Sequence, residues 1–386
     1  MELECQRHLF SLPEGEHYLN CAYMGPLPKS VEAAGIAGVR RKVVPRRITP
    51  ADFFTEPEQL RERFATLVNS EARRVALVPA VSYGVAIASC NLSLRRGQNV
   101  VIPGEEFPSN VYAWMDHCAR EGAELRIVPR PTDVQSVGRA WNARLLEAID
   151  ADTAIVTADA VHWTDGTRFD LEAIGRRAHE VGALYLVDGT QSIGALAFDS
   201  TRVQADLLVC AGYKWLLGPY QLGFAVLGDR LLDGHPFEHN WLNRQDSENF
   251  AGLVDYKTGF QPGARRFDVG ERSNPVTVPM LIESLRQILE WGVDAIQGYC
   301  AGLGRVLEQA LGEAHGFTLN PAEERGAHLF GVRVPHPEVI PAILEQLAAR
   351  KVFVSQRGSS VRVSPNVYNT PEDMEALAEA LKAAVK

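Results

Sequence analysis

The sequence predicts an α/β protein, with a large domain built on a mainly parallel sheet and a smaller α+β domain at the C-terminal end. Two apolar runs, 184–187 and 207–210, are bounded by turn residues and have the length and composition of buried parallel strands. Further strand-length runs at 75–78, 99–102, 124–128 and 153–158 are separated by stretches that read as helices, at 85–94, 142–149 and 171–181. Beyond residue 290 the pattern changes to short strands at 328–334, 352–355 and 361–363, with helices at 338–350 and 371–385.

Taken in order, residues 1–30 form an arm and then an extended, turning segment, Tyr18-Leu-Asn20-Cys-Ala-Tyr23-Met-Gly25-Pro26-Leu-Pro28, shaped by its Gly and Pro. Residues 31–290 form the large domain, which opens with helices at 31–43 and 57–68. Residues 227–262 show no clear period, and Trp241 and Tyr256 there are candidates for an entrance to a site. Helices at 279–291 and 293–311 lead into the small domain, 291–386, which also takes part of the N-terminal segment.

A chain of 386 residues is long enough for a large core. A net charge of −9 argues against nucleic acid or an anionic membrane as the main partner. The six cysteines, Cys5, Cys21, Cys90, Cys118, Cys210 and Cys300, are scattered without a CxxC pair. That spacing speaks against disulfides and a metal site, and fits a reducing cytoplasm. No signal-peptide pattern and no membrane-length apolar run is expected.

The chemistry gathers where strands end. Asp188 closes the run 184–187, and Lys214 follows the run 207–210 between Tyr213 and Trp215. A lysine amine forms a Schiff base with a carbonyl cofactor, and an acid pairs with a pyridinium nitrogen. The pair points to pyridoxal 5'-phosphate. Val81 and Ser82 lie between a strand and a helix, where free N–H groups and the helix dipole favour phosphate; Ser82 also reads as a helix N-cap. Phe107 follows another strand, in Glu-Glu-Phe107-Pro-Ser109-Asn110, and an aromatic there can stack on a planar ring.

These motifs resemble the class V aminotransferases of PLP fold type I, a group that includes cysteine desulfurases, kynureninase and isopenicillin N epimerase. The likeness runs from Tyr18 to the C-terminal end. It implies a seven-stranded, mainly parallel sheet and a homodimer in which loop 270–275 of the partner completes the active site. It assigns Lys214 to the Schiff base, Asp188 to the ring nitrogen and Gln191 to the 3'-oxygen of the cofactor. Phe107 and Trp163 would lie against the ring. Val81, Ser82, Tyr213, Ser273 and Asn274 would serve the phosphate. Arg362 aligns with the arginine that clamps the substrate α-carboxylate, with Arg357, Asn20 and His162 as further substrate-pocket candidates. His162 equally reads as a hydrogen-bonded structural histidine.

The chain also departs from its kin. It has Ala80-Val81-Ser82 where Gly-Thr-Thr is common, Ala211 where Ser is common, and Tyr213 where desulfurases carry His. Residues 356–360 contain no cysteine, so the thiolate of group II desulfurases is missing. The resemblance therefore implies a PLP-dependent enzyme acting on an α-amino acid, with aminotransferase first, a C–S or C–C lyase second and an epimerase third. A PLP-fold binding module without turnover is the rival from another class.

Overall fold

The computed structural model describes residues 3–132, 134, 136–312 and 316–384. Its centre is a seven-stranded sheet. Across it lie the strands Val75–Val78, Gly223–Leu227, Leu207–Ala211, Leu184–Asp188, Thr153–Asp159, Asn99–Pro103 and Glu124–Val128, in that spatial order. All neighbours are parallel except Gly223–Leu227, which is antiparallel to both of its neighbours. The sequence patterns anticipated the other six. They did not yield Gly223–Leu227, which follows a turn and returns beside the strand before it.

The continuous apolar character of these strands has a direct cause. Both faces of the sheet are covered, so both parities are buried. Val75, Leu77, Val101, Val156, Tyr185, Val187, Leu208 and Phe224 enter one core, with helices Asp52–Leu67, Val137–Ala148, Leu171–Glu180 and Thr277–Trp291. Ala76, Val78, Val100, Ile102, Leu184, Leu186, Leu207 and Val209 enter the other, with helices Val81–Asn91 and Tyr112–Glu121. Gly84 lets the helix Val81–Asn91 lie close on the sheet, because a Cβ there would meet Val209 Cγ1 at 2.4 Å.

A third core gathers Leu303, Leu307, Phe330, Val332, Ile343, Val361, Val363, Leu377 and Leu381. It belongs to a three-stranded antiparallel sheet, in the order Ser355–Arg357, Ser360–Val363, Phe330–Arg333, packed by helices Val293–Leu311, Ile340–Ala349 and Pro371–Ala384. The last predicted helix reached Val385, which lies outside the described residues. Leu19 joins this core from the N-terminal side, and His17–Tyr18 pairs with Val352–Phe353 in parallel.

One boundary shift is instructive. Pro57 reads as a helix start, yet the helix begins at Asp52 and carries Pro57 inside. A proline has no N–H for the carbonyl four residues back. That carbonyl, Phe53 O, instead accepts the Ser273 hydroxyl at 2.5 Å. A side chain from a distant loop thus repairs the helix. The same loop is fixed by Asp268, whose carboxylate is buried between Arg61 and Arg272 and accepts the Leu77 N–H at 2.9 Å.

Candidate active site

The strand ends build the site. The parity that sends Leu184 and Leu186 to the second core also sends Asp188 to that side, one position past the apolar run. Asp159 stands at the same level of the next strand, in direct register with Asp188. Strand Leu207–Ala211 feeds the turn that carries Lys214. Strand Val75–Val78 feeds the N-terminus of helix Val81–Asn91, and strand Asn99–Pro103 feeds the turn with Glu106 and Phe107. These ends enclose a cavity of about 350 Å³, lined by Val81, Ser82, Phe107, Asp159, Trp163, Asp188, Gln191, Tyr213 and Lys214, among others.

Lys214 is 6% exposed. Burial lowers its ammonium pKa to about 8, although Asp188 pulls the other way. Its Nζ lies 5.4 Å from the Phe107 ring centre and 5.6 Å from that of Tyr213. Asp188 accepts the Thr190 N–H at 2.9 Å. Desolvation raises its pKa, and contacts with Thr190 and Lys214 draw it back. A cation beside this carboxylate would stabilise its charged form.

Two further acids occupy the floor, and the sequence reading passed over both. Asp159 lines the cavity beside Asp188, and Glu106 is buried next to it. Glu106 Oε1 accepts the Phe107 N–H at 2.5 Å, and its carboxyl is set against that of Asp159. Desolvation, followed by the charge of Asp188, pushes Glu106 up to about 8. Desolvation and then the Glu106 charge push Asp159 well above the carboxylate range. Two such acids in one buried place hold a proton at neutral pH.

Helix Val81–Asn91 begins without a side-chain cap. Its N-cap is Ala80, and Ser82 is the second helical residue, so the expected capping role of Ser82 is not found. The first N–H groups of the helix are left to the cavity. Gln191 is held by two neighbours: its amide donates to the Ala22 carbonyl at 3.1 Å and accepts from Trp215 Nε1 at 2.9 Å. Trp163 donates to the Glu105 carbonyl at 2.6 Å and meets Phe107 edge-on, 5.4 Å between centres.

The C-terminal hairpin sets two arginines against Trp163; like Asn20, they are not among the residues that line the cavity itself. Arg362 is 1% exposed, and its Nη1 donates to the Trp163 carbonyl at 2.9 Å. Burial, then the charge of Arg357, lowers it to about 9. Arg357 Nη1 donates to the Gln356 carbonyl at 2.6 Å, and its guanidinium lies 5.5 Å from the Trp163 ring centre. Asn20 accepts the Ser355 hydroxyl at 3.1 Å, tying the N-terminal segment to this hairpin. Gly25 approaches the lysine turn so closely that a Cβ would stand 2.2 Å from the Lys214 carbonyl.

Two expectations meet a different placement. His162 is fully buried and does not line the cavity. Its ring nitrogens meet Thr164 Oγ1 at 2.8 Å and the Gly104 carbonyl at 3.2 Å. Desolvation lowers it to about 4, so it is a neutral structural histidine beside the Arg130–Asp165 pair. Trp241 packs with Phe53, Phe54 and Phe250, and Tyr256 projects into solvent, neither one at the cavity. Ser273 and Asn274 lie outside the cavity of their own chain. The Ser273 hydroxyl serves Phe53, and Asn274 Oδ1 accepts the Val276 and Thr277 N–H groups at 2.9 and 3.2 Å.

The residues fit pyridoxal 5'-phosphate. An uncapped helix N-terminus suits its phosphate, a buried acid suits a protonated ring nitrogen, aromatic walls suit its plane, and a buried amine suits its aldehyde. Among the described residues, no group of three or more His, Cys, Asp or Glu could hold a metal ion, and no helix is long and apolar enough to cross a membrane.

Comparison with known proteins agrees with this geometry. The aminotransferase class-V family profile matches residues 49–377. A probable cysteine desulfurase of Methanothermobacter thermautotrophicus is 26% identical over 343 residues, covering 84% of this chain and 82% of the relative. The isopenicillin N epimerase of Streptomyces clavuligerus is 25% identical over 378 residues, covering 95% and 94%. Among solved structures, the cystine C–S lyase C-DES in complex with cysteine persulfide superposes with a TM-score of 0.85 at 21% identity, covering 95% of this chain and 97% of that one. The Escherichia coli cysteine desulfurase CsdA gives 0.80 at 18%, covering 98% and 97%. At these identities the structural matches show a shared fold.

Proposed function

The chain belongs to the aminotransferase class-V family, and from that premise we propose that it is a pyridoxal 5'-phosphate enzyme transferring the amino group of an α-amino acid to a keto acid. The observation that carries the reading is the meeting of Lys214 and Asp188 in one buried cavity, beneath an uncapped helix N-terminus. When bound, the cofactor supplies an aldehyde for amines and a ring that accepts the electron pair left by a departing α-proton.

The side chains then have defined tasks. Lys214 would anchor the aldehyde and, with its amine free, would take the α-proton on Nζ; a pKa of about 8 suits a base at neutral to mildly alkaline pH. Asp188 holds the ring nitrogen in its charged form. Val81 and Ser82 would offer N–H groups to the phosphate, together with Tyr213, while Phe107 and Trp163 would hold the ring and Gln191 its 3'-oxygen. Arg362 receives the α-carboxylate through its fork of donors, with Asn20 and Arg357 at the same wall. In a homodimer, loop 270–275 of the second copy would close the phosphate end, through Asn274 and backbone N–H groups more than through the engaged Ser273 hydroxyl.

Persulfide chemistry is disfavoured. Residues 356–360 lack a cysteine. Cys21, whose Sγ lies 3.9 Å from the Lys214 carbonyl, is buried and pushed up to about 11, which keeps it a thiol. The test is an absorption spectrum of the purified protein followed by turnover with amino acids. A visible band lost in Lys214→Ala, with turnover that requires a keto acid, is the expected result. Release of product without a keto-acid acceptor would replace transamination by elimination, and interconversion of enantiomers would replace it by epimerisation. A protein that takes up no cofactor would remove the reading altogether.

A further inference from the structure

Arginines elsewhere in the interior come with acids. Arg61 and Arg272 share Asp268, and Arg130 holds Asp165. Arg357 and Arg362 do not. Among the described residues neither forms an ion pair, and Arg362 Nε, Arg362 Nη2 and Arg357 Nε are buried without hydrogen-bond partners. An unpaired buried guanidinium such as that of Arg362 is costly, and a second, half-buried one beside it adds to the cost.

Their placement is set by the hairpin register. Ser355 faces Arg362, and Arg357 faces Ser360. Ser355 and Arg357 are two residues apart, so they share a face, and Arg362 shares it with them. Arg357 and Arg362 are therefore diagonal neighbours, about 7–8 Å apart along the hairpin face, within reach of long side chains. They reach Trp163 at two places, Arg362 at its carbonyl and Arg357 at its ring, and Trp163 lines the cavity with Lys214. One carboxylate on Arg362 leaves the second guanidinium uncompensated.

Building on the proposed function, we propose that the substrate is an α-amino acid whose side chain bears a second anionic group, with the α-carboxylate on Arg362 and the distal anion on Arg357. The diagonal spacing suits two anions separated by a short aliphatic chain. The same wall disfavours substrates with a cationic side chain.

Calorimetric titration of the holoprotein with non-reacting carboxylates tests this. Succinate and glutarate are compared with butyrate and pentanoate. The dicarboxylates are expected to bind about tenfold tighter than the monocarboxylates, as a second charge-assisted contact requires. Arg357→Gln should bring that ratio near one and leave monocarboxylate binding within about twofold, while Arg362→Gln weakens both classes. Equal binding of glutarate and pentanoate by the wild-type protein overturns the inference without any variant. Equal weakening of both classes by Arg357→Gln also overturns it, making Arg357 a second clamp on the same carboxylate. The absorption spectrum is recorded on the same samples. A Lys214-dependent band without dicarboxylate preference defeats this inference alone; the absence of the band defeats the reading beneath it.

Discussion

The floor of the cavity and the hairpin wall behind Trp163 handle charge in opposite ways. On the floor, Lys214 is set with Asp188 and Asp159, so cation and acids are both supplied by the chain. On the wall, Arg357 and Arg362 stand without an acid. The floor is a self-compensated bed for a resident group. The wall is left incomplete, and only a visitor with negative charge completes it. The contrast also separates rigidity from adaptability, because the floor hangs from the central sheet and the wall from a hairpin of the smaller one.

The largest expected effect comes from making a paired arginine site resemble the wall. Asp268→Asn leaves Arg61 and Arg272 buried without their shared acid. A loss of about 3–5 kcal/mol in denaturant unfolding is expected; a loss below 1 kcal/mol would mean that buried arginines are tolerated here without partners, and would weaken the contrast. Next is removal of the floor's charge. Asp188→Asn should lower kcat/KM by about 10²–10³-fold, the scale of losing one preorganised electrostatic contact, with the protein still folded by circular dichroism.

A smaller effect concerns the shared proton. Glu106 has a folded pKa near 8 against an ordinary value near 4.5. Between those values the folded chain holds a proton that the unfolded chain has released, so stability from this group is full below the lower value and is lost as pH rises towards the upper one. Cofactor-free protein should thus lose thermal stability from pH 5 to pH 8, and Asp159→Asn, which removes the second carboxyl with a raised pKa, should flatten that decline by about 2–4 °C. An unchanged slope would show that the two acids do not share a proton. The smallest effect tests the wall directly. Ser355→Asp places an acid across from Arg362. It should add about 0.2–1 kcal/mol of stability while weakening carboxylate binding, measured by unfolding and by calorimetry on one preparation.

Much of the fold was legible because buried parallel strands have a plain signature, an apolar run between turn residues. The same signature marked Asp188 and Lys214, since an acid or a lysine at the end of such a run sits at the mouth of the sheet. Asp159 ends a run of the same kind and was missed, although the rule that found Asp188 applies to it without change. Glu106 was hidden because it lies in the turn beyond Pro103, where the alternation of the strand no longer fixes which way a side chain faces. His162 shows the limit of the rule. A loop after a strand has no fixed parity, and this one turns its histidine inward, where Thr164 and Gly104 hold it. The helix start at Asp52 was obscured for a different reason: the donor that rescues Phe53 O comes from Ser273, far along the chain.

The N-terminal segment carries a consequence for the order in which the molecule is made. Leu19 exchanges backbone hydrogen bonds with Phe353 and Ser364, Gln6 donates to Val367, and His17 meets Asp373 at 2.6 Å across 356 positions of sequence. Gly25 then rests on the lysine turn. During synthesis this segment emerges well before its partners, which lie far along the chain. The sheet with Lys214 and Asp188 can form before them, and the segment must stay unattached until the smaller sheet exists. Contacts so distant in sequence form slowly. Closure of the site over the lysine turn is therefore a late event of folding, and a nascent chain halted before residue 350 would have its floor in place and its N-terminal cover still loose.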